Sequence, residues 1–371
     1  MDSVRRVKRP ELVELVLRSV PDVADVATRL AQDRRSSSAT TARVTARRPV
    51  SRRGRRVGAL VGAPLEELPT SLRNPERAGR KRTLDAAERA AAKIAESGTD
   101  ADLTPEEAAG AEAIIVVFGR PAILVQDGRF FPPPHPWESL EDCRAEIEAV
   151  LPSVGRIEVA GHPRYEWVGT GFVAGDGLVL TNRHVAKEFS RPVGRGKWDF
   201  EAGMTVSIDF AEEFGGAAPR EHPVTEVVAV RDDVDLALLR VGPQVGGTAV
   251  PAALPLSRAP QRARKGRRVY VVGYPAADPG RNDAEVMGRI FNDIYNVKRL
   301  QPGGVRSTKG MLHSHDCSTL GGNSGSCVVD LETHQVVGLH FQGRYLEENW
   351  AVTLSKLIAD PKIKKAALNF V

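Results

Sequence analysis

Residues 315–341 read HDCSTLGGNSGSCVVDLETHQVVGLHF, and at their centre lies a turn of six small residues, GGNSGS at 321–326. Two apolar, β-prone runs follow this turn, and the polar residues between them predict a β-hairpin. A Gly/Ser stretch is often a flexible linker, but a linker would not be expected between ordered strands. Because glycine allows the backbone to approach a ligand closely, the turn is interpreted as a site with Ser324 at its centre.

Short β-prone runs continue outward from this hairpin, beginning at about residue 154. Gly, Pro and Asp separate the runs, and no long helical pattern lies between them. The runs are VGRIEVA, GTGFVAG, LVLTN, TVSIDF, TEVVAV, DLALLRV, RVYVVGY, SCVVDL and VVGLHF. This pattern predicts an all-β sandwich or a pair of barrels. A short helix is expected near the end of the chain, around residues 353–360.

The part of the chain before residue 153 predicts a mostly α-helical structure. Helices are expected within residues 1–30 and at 84–97 and 138–150, and Thr104 is a predicted helix cap followed by proline. The run AILVQDGRFF at 122–131 predicts a strand and an Asp-Gly turn. The predicted organisation is a short helical segment at 1–33, a basic disordered linker at 34–75, a mostly helical regulatory or recruitment region at 76–152 and a β domain at 153–371.

Composition is that of a soluble globular protein, with 42% hydrophobic and 27% charged residues. No apolar run approaches the ~20 residues that a membrane span needs, and the first apolar stretch carries Glu11, Glu14 and Arg18, unlike the core of a signal peptide. Three cysteines, an odd number, fit a reducing compartment. The chain is therefore expected in the cytoplasm and not at a membrane. A disulfide between Cys317 and Cys327 remains an alternative.

The positive charge of the chain is concentrated between Arg34 and Arg56, which include nine arginines and no acidic residue. Such a stretch attracts nucleic acid or an anionic surface. No aromatic residues that could stack on bases lie among the arginines. The stretch is interpreted as a solvated tether, and nucleic acid is not expected as a partner.

Three residues in chain order carry the expected chemistry. A serine hydroxyl becomes a good nucleophile only when a base, usually histidine, takes its proton and a third group orients that base. His184 ends a strand in VLTNRHVA, Asp235 precedes an apolar strand in RDDVDLALLRV, and Ser324 comes last. This order occurs in one class of catalytic triad. The alternatives are a purely structural His184, Asp232 or Asp233 as the acid, and Ser318 or Ser326 as the nucleophile.

Residues 169–186 (GTGFVAGDGLVLTNRHVA), 235–241 (DLALLRV) and 321–326 (GGNSGS) resemble the three active-site blocks of trypsin-like serine endopeptidases. They are most similar to the bacterial glutamyl endopeptidase branch, and the resemblance covers roughly residues 155–360. It implies a chymotrypsin-like pair of six-stranded β-barrels. It also implies a Ser324-His184-Asp235 triad that works through an acyl-enzyme, an oxyanion hole made by the backbone N–H groups of Gly322 and Ser324, and no cofactor.

One departure from trypsin concerns activation. Trypsin-like enzymes that mature by cleavage have an aspartate before the nucleophile, which pairs with a new amino terminus. Asn323 occupies that position here and cannot form an ion pair. Control is therefore expected to run through residues 1–150, by occlusion, by docking or by an activator or assembly partner. Self-cleavage near Glu76 or Asp85 is a further expectation.

Specificity differs from trypsin as well. Ser318 stands where trypsin has the aspartate that selects Lys or Arg. Glutamyl endopeptidases have the threonine and histidine that are matched here by Thr319 and His340, and Phe341 follows on the same strand. The resemblance implies cleavage of protein or peptide substrates after Glu or Asp, unless His340 only packs against a neighbouring strand.

Three other interpretations stay open. His313, His315 and Cys317 could suggest a metal site, but no fourth ligand of convincing spacing is present and no metal is expected. A serine esterase is disfavoured because the chain lacks a Gly-x-Ser-x-Gly elbow. The main alternative is a catalytically silent protease homologue that acts as a peptide-binding module.

Overall fold

The computed structural model divides the chain into two compact units, whose described parts meet in sequence between Arg120 and Pro121. The described residues are 7–8, 10–20, 23–24, 26, 77–194, 196–216, 218–244, 247–277, 284–343 and 349–371. The predicted basic linker at 34–75 lies outside them, as does Glu76, one of the two predicted self-cleavage positions.

The first unit is built on helices, as predicted. Its elements are β1 (Val7–Lys8), α1 (Pro10–Ser19), α2 (Arg77–Ser97), β2 (Asp102–Leu103) and α3 (Pro105–Gly119). Val13 and Val16 of α1 belong to the same buried apolar cluster as Ile94 of α2. The amphipathic first helix therefore buries its apolar face against helices that follow some sixty residues later.

The start of α3 confirms the predicted cap. The Glu107 amide donates to Thr104 Oγ1 at 3.2 Å, and the Thr104 amide donates to Glu107 Oε2 at 2.9 Å. Pro105 occupies the first helical position, where a missing N–H costs nothing. The sequence therefore fixes this boundary to the residue.

The second unit contains a first closed antiparallel barrel with the strand order β10-β11-β12-β7-β6-β5. Its strands are β5 (Val154–Ala160), β6 (Trp167–Gly175), β7 (Leu178–Thr181), β10 (Thr205–Asp209), β11 (Glu221–Val230) and β12 (Ala237–Val241). The short helix α5 (Arg183–Ala186) follows β7, and a separate hairpin of β8 (Ser190–Gly194) and β9 (Lys197–Phe200) precedes β10. Buried Val, Ile and Leu side chains from alternate strand positions fill the interior.

A second barrel closes because β13 pairs with β14 as well as with β16, giving the ring β13-β16-β17-β18-β15-β14. Its strands are β13 (Arg268–Gly273), β14 (Arg299–Lys309), β15 (Leu312–His315), β16 (Cys327–Asp330), β17 (Val336–Gly343) and β18 (Asn349–Thr353). The helix α6 (Ala284–Phe291) precedes β14. Two closed six-stranded antiparallel barrels confirm the predicted chymotrypsin-like fold.

The predicted strand and Asp-Gly turn at 122–131 form a hairpin of β3 (Ile123–Gln126) and β4 (Arg129–Phe130). Asp127 and Gly128 at its tip have φ of 52° and 72°, as a two-residue hairpin turn requires. Leu124 pairs with Arg299 of β14, so the hairpin extends the sheet of the second barrel. The sequence predicts a β domain that begins at residue 153, whereas the described part of the compact unit begins at Pro121.

Short helices complete the second unit. The helix predicted at 138–150 is a 3-10 helix, Glu138–Cys143, followed by α4 (Arg144–Val150). The predicted helix near the end of the chain is a 3-10 turn, Leu354–Leu357, followed by α7 (Pro361–Ala366). Within the described ranges, no helix is both long enough and apolar enough to cross a bilayer.

Candidate active site

The predicted triad residues come from both barrels. His184 lies in α5, directly after β7, and Asp235 lies just before β12, the neighbour of β7 in the first barrel. Ser324 lies in the turn between β15 and β16 of the second barrel. The site is therefore assembled where the ends of strands from the two barrels meet.

His184 and Asp235 form a close pair. The distance from His184 Nδ1 to Asp235 Oδ2 is 2.6 Å, and the His184 amide donates to Oδ1 at 3.0 Å. Asn182 Nδ2 donates to the Asp235 carbonyl at 2.9 Å. Burial raises the pKa of Asp235, but the charge and hydrogen bonds of His184 outweigh it and hold that pKa below its usual value. The ionised carboxylate thus accepts the Nδ1 proton and leaves His184 Nε2 as the free acceptor.

The two alternative acids, Asp232 and Asp233, have other described contacts. The Asp233 carboxylate pairs with Arg231, with Nε to Oδ1 at 2.8 Å. Arg183 Nη1 donates to the backbone carbonyl of Asp232 at 2.8 Å, and the described contacts do not join the Asp232 carboxylate to His184. Asp235, just before the apolar strand β12, is therefore the one of these three acids whose described contacts reach His184.

Ser324 and His184 approach each other around one glycine of β6. A Cβ placed on Gly169 would lie 2.8 Å from Cγ2 of Val185, the neighbour of His184, and 3.0 Å from the carbonyl oxygen of Ser324. The described residues give His184 Nε2 no hydrogen-bond partner, so it is not bonded to the Ser324 hydroxyl. Such contacts are often long before substrate binds.

The turn around Ser324 uses two glycines in the left-handed region, Gly322 with φ of 86° and Gly325 with φ of 92°. Thr170 of β6 holds this turn twice: its amide donates to Ser324 O at 2.8 Å, and its hydroxyl donates to Gly322 O at 2.7 Å. A Cβ on Gly325 would lie 1.9 Å from the Thr170 carbonyl oxygen. Only glycine can therefore stand at these two positions without moving β6.

The backbone N–H groups of residues 322–326 fall into two sets. Those of Asn323, Gly325 and Ser326 donate to Leu320 O, His340 O and Asn323 O, at 3.2, 2.9 and 2.9 Å. The N–H groups of Gly322 and Ser324 have no acceptor among the described residues. Two free donors that flank one residue are what an oxyanion hole needs.

Asn323 is completely buried and neutral. Its Nδ2 lies 3.4 Å from Leu320 O, and its Oδ1 lies 3.4 Å from the hydroxyl of Ser326. Its amide group therefore makes contacts within the turn itself, without an ionic partner.

The predicted specificity residue His340 is 3% exposed and contacts a second histidine. His340 Nδ1 lies 3.2 Å from His315 Nε2, and the two rings are edge to face with centroids 5.2 Å apart. His313 Nδ1 lies 2.9 Å from Thr353 Oγ1. Burial lowers the pKa of His340 to about 3 and that of His313 to about 4, and lowers the pKa of His315 well below its usual value. All three rings are therefore neutral at pH 7.

The other predicted pocket residues lie nearby in the chain but are bonded differently. Thr319 Oγ1 donates to Asn349 Oδ1 at 2.8 Å, and Asn349 Nδ2 donates to Cys317 O at 2.7 Å. Ser318 is buried and Phe341 is half-buried. Sequence reasoning missed Asn349 and the partnership of His315 with His340. The alternation of histidines at 313 and 315, which places both on one face of a strand, was the available signal.

The cysteines and histidines of this region are not grouped as metal ligands. In the described part of the chain, no cluster of three or more His, Cys, Asp or Glu side chains could hold a metal ion. Cys317 and Cys327 are buried, are not joined by a disulfide and belong to different apolar clusters.

Comparisons with known proteins bear on the second unit. Residues 169–339 match the family model described as a trypsin-like peptidase domain. A mutant of Rv3671c from M. tuberculosis H37Rv, in its inactive form, has a TM-score of 0.40 and 22% sequence identity over 66% of this chain and 96% of that chain. The active form of the Rv3671c protease from M. tuberculosis has a TM-score of 0.41 and 22% identity, over 67% and 91%. No curated protein gave a match. The family match therefore shows that residues 169–339 are similar to a trypsin-like peptidase domain, in keeping with the two barrels.

Proposed function

We propose that this chain is a serine endopeptidase that hydrolyses peptide bonds through an acyl-enzyme on Ser324. The observation that carries the proposal is the His184–Asp235 pair at 2.6 Å, placed beside a serine turn with two free backbone N–H groups. An ionised Asp235 fixes the proton on Nδ1 of His184, so Nε2 is the base.

The reaction follows from these positions. Ser324 Oγ attacks the carbonyl carbon while His184 Nε2 takes its proton, and the carbonyl oxygen becomes an oxyanion facing the N–H groups of Gly322 and Ser324. The C–N bond then breaks, and His184 gives its proton to the leaving amine. Water attacks the ester by the same route, which releases the acid product and restores Ser324. Each oxyanion donor is expected to contribute about 3 kcal/mol to transition-state binding.

We further propose a preference for Glu or Asp before the scissile bond. His315 Nδ1 is buried without a partner among the described residues. A buried unpaired acceptor is tolerated better than a buried unpaired donor, so the proton of His315 is assigned to Nε2, from which it is donated to His340 Nδ1. His340 then carries its own proton on Nε2 and offers it to a substrate carboxylate. Two neutral imidazoles in series bind an anion without a buried fixed charge.

A second candidate is a peptide-binding homologue without catalytic activity. It is favoured by the lack of a hydrogen bond to His184 Nε2 within the described residues. Regulation by the first 120 residues and a cytoplasmic location are proposals that accompany the enzyme reading. The free cysteines are in keeping with a reducing compartment.

The experiment is labelling of the purified full chain with a fluorophosphonate probe, followed by mapping of the modified residue. Labelling of Ser324 that disappears in Ser324→Ala and His184→Ala supports the enzyme. Labelling only after residues 1–120 are removed supports regulation by that part. No labelling in either form, together with saturable peptide binding, supports the silent homologue. A peptide library then tests the acidic preference, and a clear preference for Leu or Arg overturns it.

A further inference from the structure

Trp167, the first residue of β6, is a buried aromatic side chain that neither the triad nor the specificity pocket uses. It is 1% exposed, and its indole Nε1 is buried without a hydrogen-bond partner among the described residues. A buried indole N–H normally finds an acceptor, and leaving it unpaired costs stability. The indole N–H therefore contributes no hydrogen bond at this position. What the ring contributes is its shape.

The ring lies against the turn that carries Ser324. A Cβ placed on Gly322 would lie 2.5 Å from Cη2 and 2.8 Å from Cζ3 of Trp167, and 2.4 Å from the carbonyl oxygen of Tyr274. The far edge of the indole and the Tyr274 carbonyl oxygen thus both lie close beside Gly322. Gly322 has φ of 86°. Glycine itself has no strong preference for this φ over negative values, so the contacts with Trp167 and Tyr274 are what favour it.

The peptide between Gly321 and Gly322 bears one of the two free N–H groups. Its carbonyl oxygen accepts from the Ala276 amide at 2.6 Å. Because a trans peptide is planar, with N–H and C=O on opposite sides, this bond directs the Gly322 N–H away from Ala276. The following carbonyl, Gly322 O, accepts from the Thr170 hydroxyl at 2.7 Å. Rotation of this peptide would break the bond from Ala276, and the edge of the Trp167 ring fills the space beside Gly322 into which the turn could otherwise shift.

The Trp167 ring is also in contact with a charged side chain, that of Arg156. The guanidinium carbon of Arg156 lies 5.3 Å from the centre of the indole ring, within the range of a cation–π contact. Arg156 is hydrogen-bonded to Glu158, and its Nη1 donates to the carbonyl oxygen of Asn296 at 2.8 Å. The arginine cannot swing away without breaking these bonds, so the ring has a fixed support on one side and Gly322 at its edge.

We propose that Trp167 is a positioning residue for the oxyanion hole: the edge of its ring keeps the Gly321–Gly322 peptide in the orientation that leaves the Gly322 N–H free for the developing oxyanion. This inference rests on the proposed serine endopeptidase function. Because the oxyanion forms only in the transition state, a shifted donor lowers kcat while substrate binding is kept.

The test compares Trp167→Phe with Trp137→Phe in the full chain. Trp137 is a matched control because it is also buried, in the same apolar cluster, and has an arginine, Arg268, 4.9 Å from its ring. Trp167→Phe is expected to lower kcat about ten-fold with KM changed less than two-fold, a part of the 10²–10³-fold loss that follows deletion of a whole donor. Trp137→Phe is expected to leave both constants within two-fold at a similar loss of Tm. Equal kcat in the two variants overturns the proposal.

A second readout does not depend on activity. Deuterium uptake by the peptide that covers residues 318–326 is expected to be faster in Trp167→Phe than in Trp137→Phe and wild type, because the turn is released. Unchanged uptake in this peptide overturns the proposal, whether or not the protein is an enzyme. If wild type does not label with a fluorophosphonate but the uptake changes as expected, the proposed endopeptidase function fails while the packing of Trp167 on the turn stands.

Discussion

His315 and His340 are joined ring to ring, Nε2 to Nδ1 at 3.2 Å, inside the second barrel and beside the serine turn. His340 O also accepts a hydrogen bond from the Gly325 amide at 2.9 Å, so the strand that carries His340 is bonded to the turn that carries Ser324. On the proposed function, a substrate group bound by His340 would therefore be held in register with Ser324.

Replacing His315, the member of this pair that supports His340, tests the proposed acidic preference. In His315→Leu, His340 loses the donor that fixes its tautomer, so its proton is no longer confined to Nε2. We expect kcat/KM for a peptide with Glu before the scissile bond to fall more than ten-fold, with a smaller loss for a Gln peptide. His135→Gln, at an exposed histidine, is the control. An equal loss for both peptides contradicts the role of the pair.

Asp235→Asn is expected to lower kcat by about 10⁴-fold with little change in KM, because an amide holds His184 in the wrong tautomer. Steady-state kinetics on a peptide ester and amide check this. Asp233→Asn is the matched control, since that carboxylate pairs with Arg231 at the surface. A large loss in the control, or none in Asp235→Asn, contradicts the assignment.

Gly169→Ala is expected to abolish labelling of Ser324. The added Cβ would lie 2.8 Å from a Val185 methyl and 3.0 Å from Ser324 O, so the histidine and serine segments must separate. In Gly242→Ala the nearest atoms are 3.5 Å away, which is ordinary contact, and labelling should stay at the wild-type rate. Normal labelling in Gly169→Ala shows that the two segments do not converge on this strand.

The buried histidines predict a pH dependence of stability. The folded pKa values of His340 and His313, about 3 and about 4, lie below the value of about 6.5 in an unfolded chain. Below pH 6.5 the unfolded chain takes up protons that the folded chain refuses, so stability declines as pH falls from 6.5 towards 4. His313→Leu should flatten the fall of Tm across this window, and His135→Gln should not. Parallel curves for His313→Leu and wild type contradict the prediction.

Lys298 is fully buried, and its Nζ donates to Leu151 O, Phe210 O and Glu213 Oε1 at 2.9, 2.8 and 3.0 Å. Lys298→Met leaves a buried carboxylate and two carbonyl groups without their donor. We expect a loss of about 3–5 kcal/mol in the free energy of unfolding, measured with urea. Lys265→Met, at an exposed lysine, should cost less than about 0.5 kcal/mol. Equal midpoints for the two variants would show that the buried pair contributes nothing.

Local patterns in the sequence predicted most of the segments that meet at the candidate site. The Gly-Asn-Ser-Gly turn, the strand that ends at His184 and the apolar strand after Asp235 each specify their own conformation, so the two barrels follow. The pairing of Leu124 with Arg299 and the contact of Trp167 with Gly322 join segments more than 150 residues apart. No local periodicity encodes such contacts, and they could only be read from the structure.

The hairpin formed by β3 and β4 determines where the second unit can be cut from the rest of the chain. Arg299 is buried, and its Nη1 donates to Ala122 O at 2.6 Å, just before this hairpin. A fragment that starts at residue 153, where the composition changes, lacks both the hairpin and this acceptor. It exposes backbone groups at the start of β14, and such an edge recruits strands from other molecules. A fragment that starts at residue 121 keeps its own edge covered and should remain monodisperse at concentrations where the shorter one self-associates.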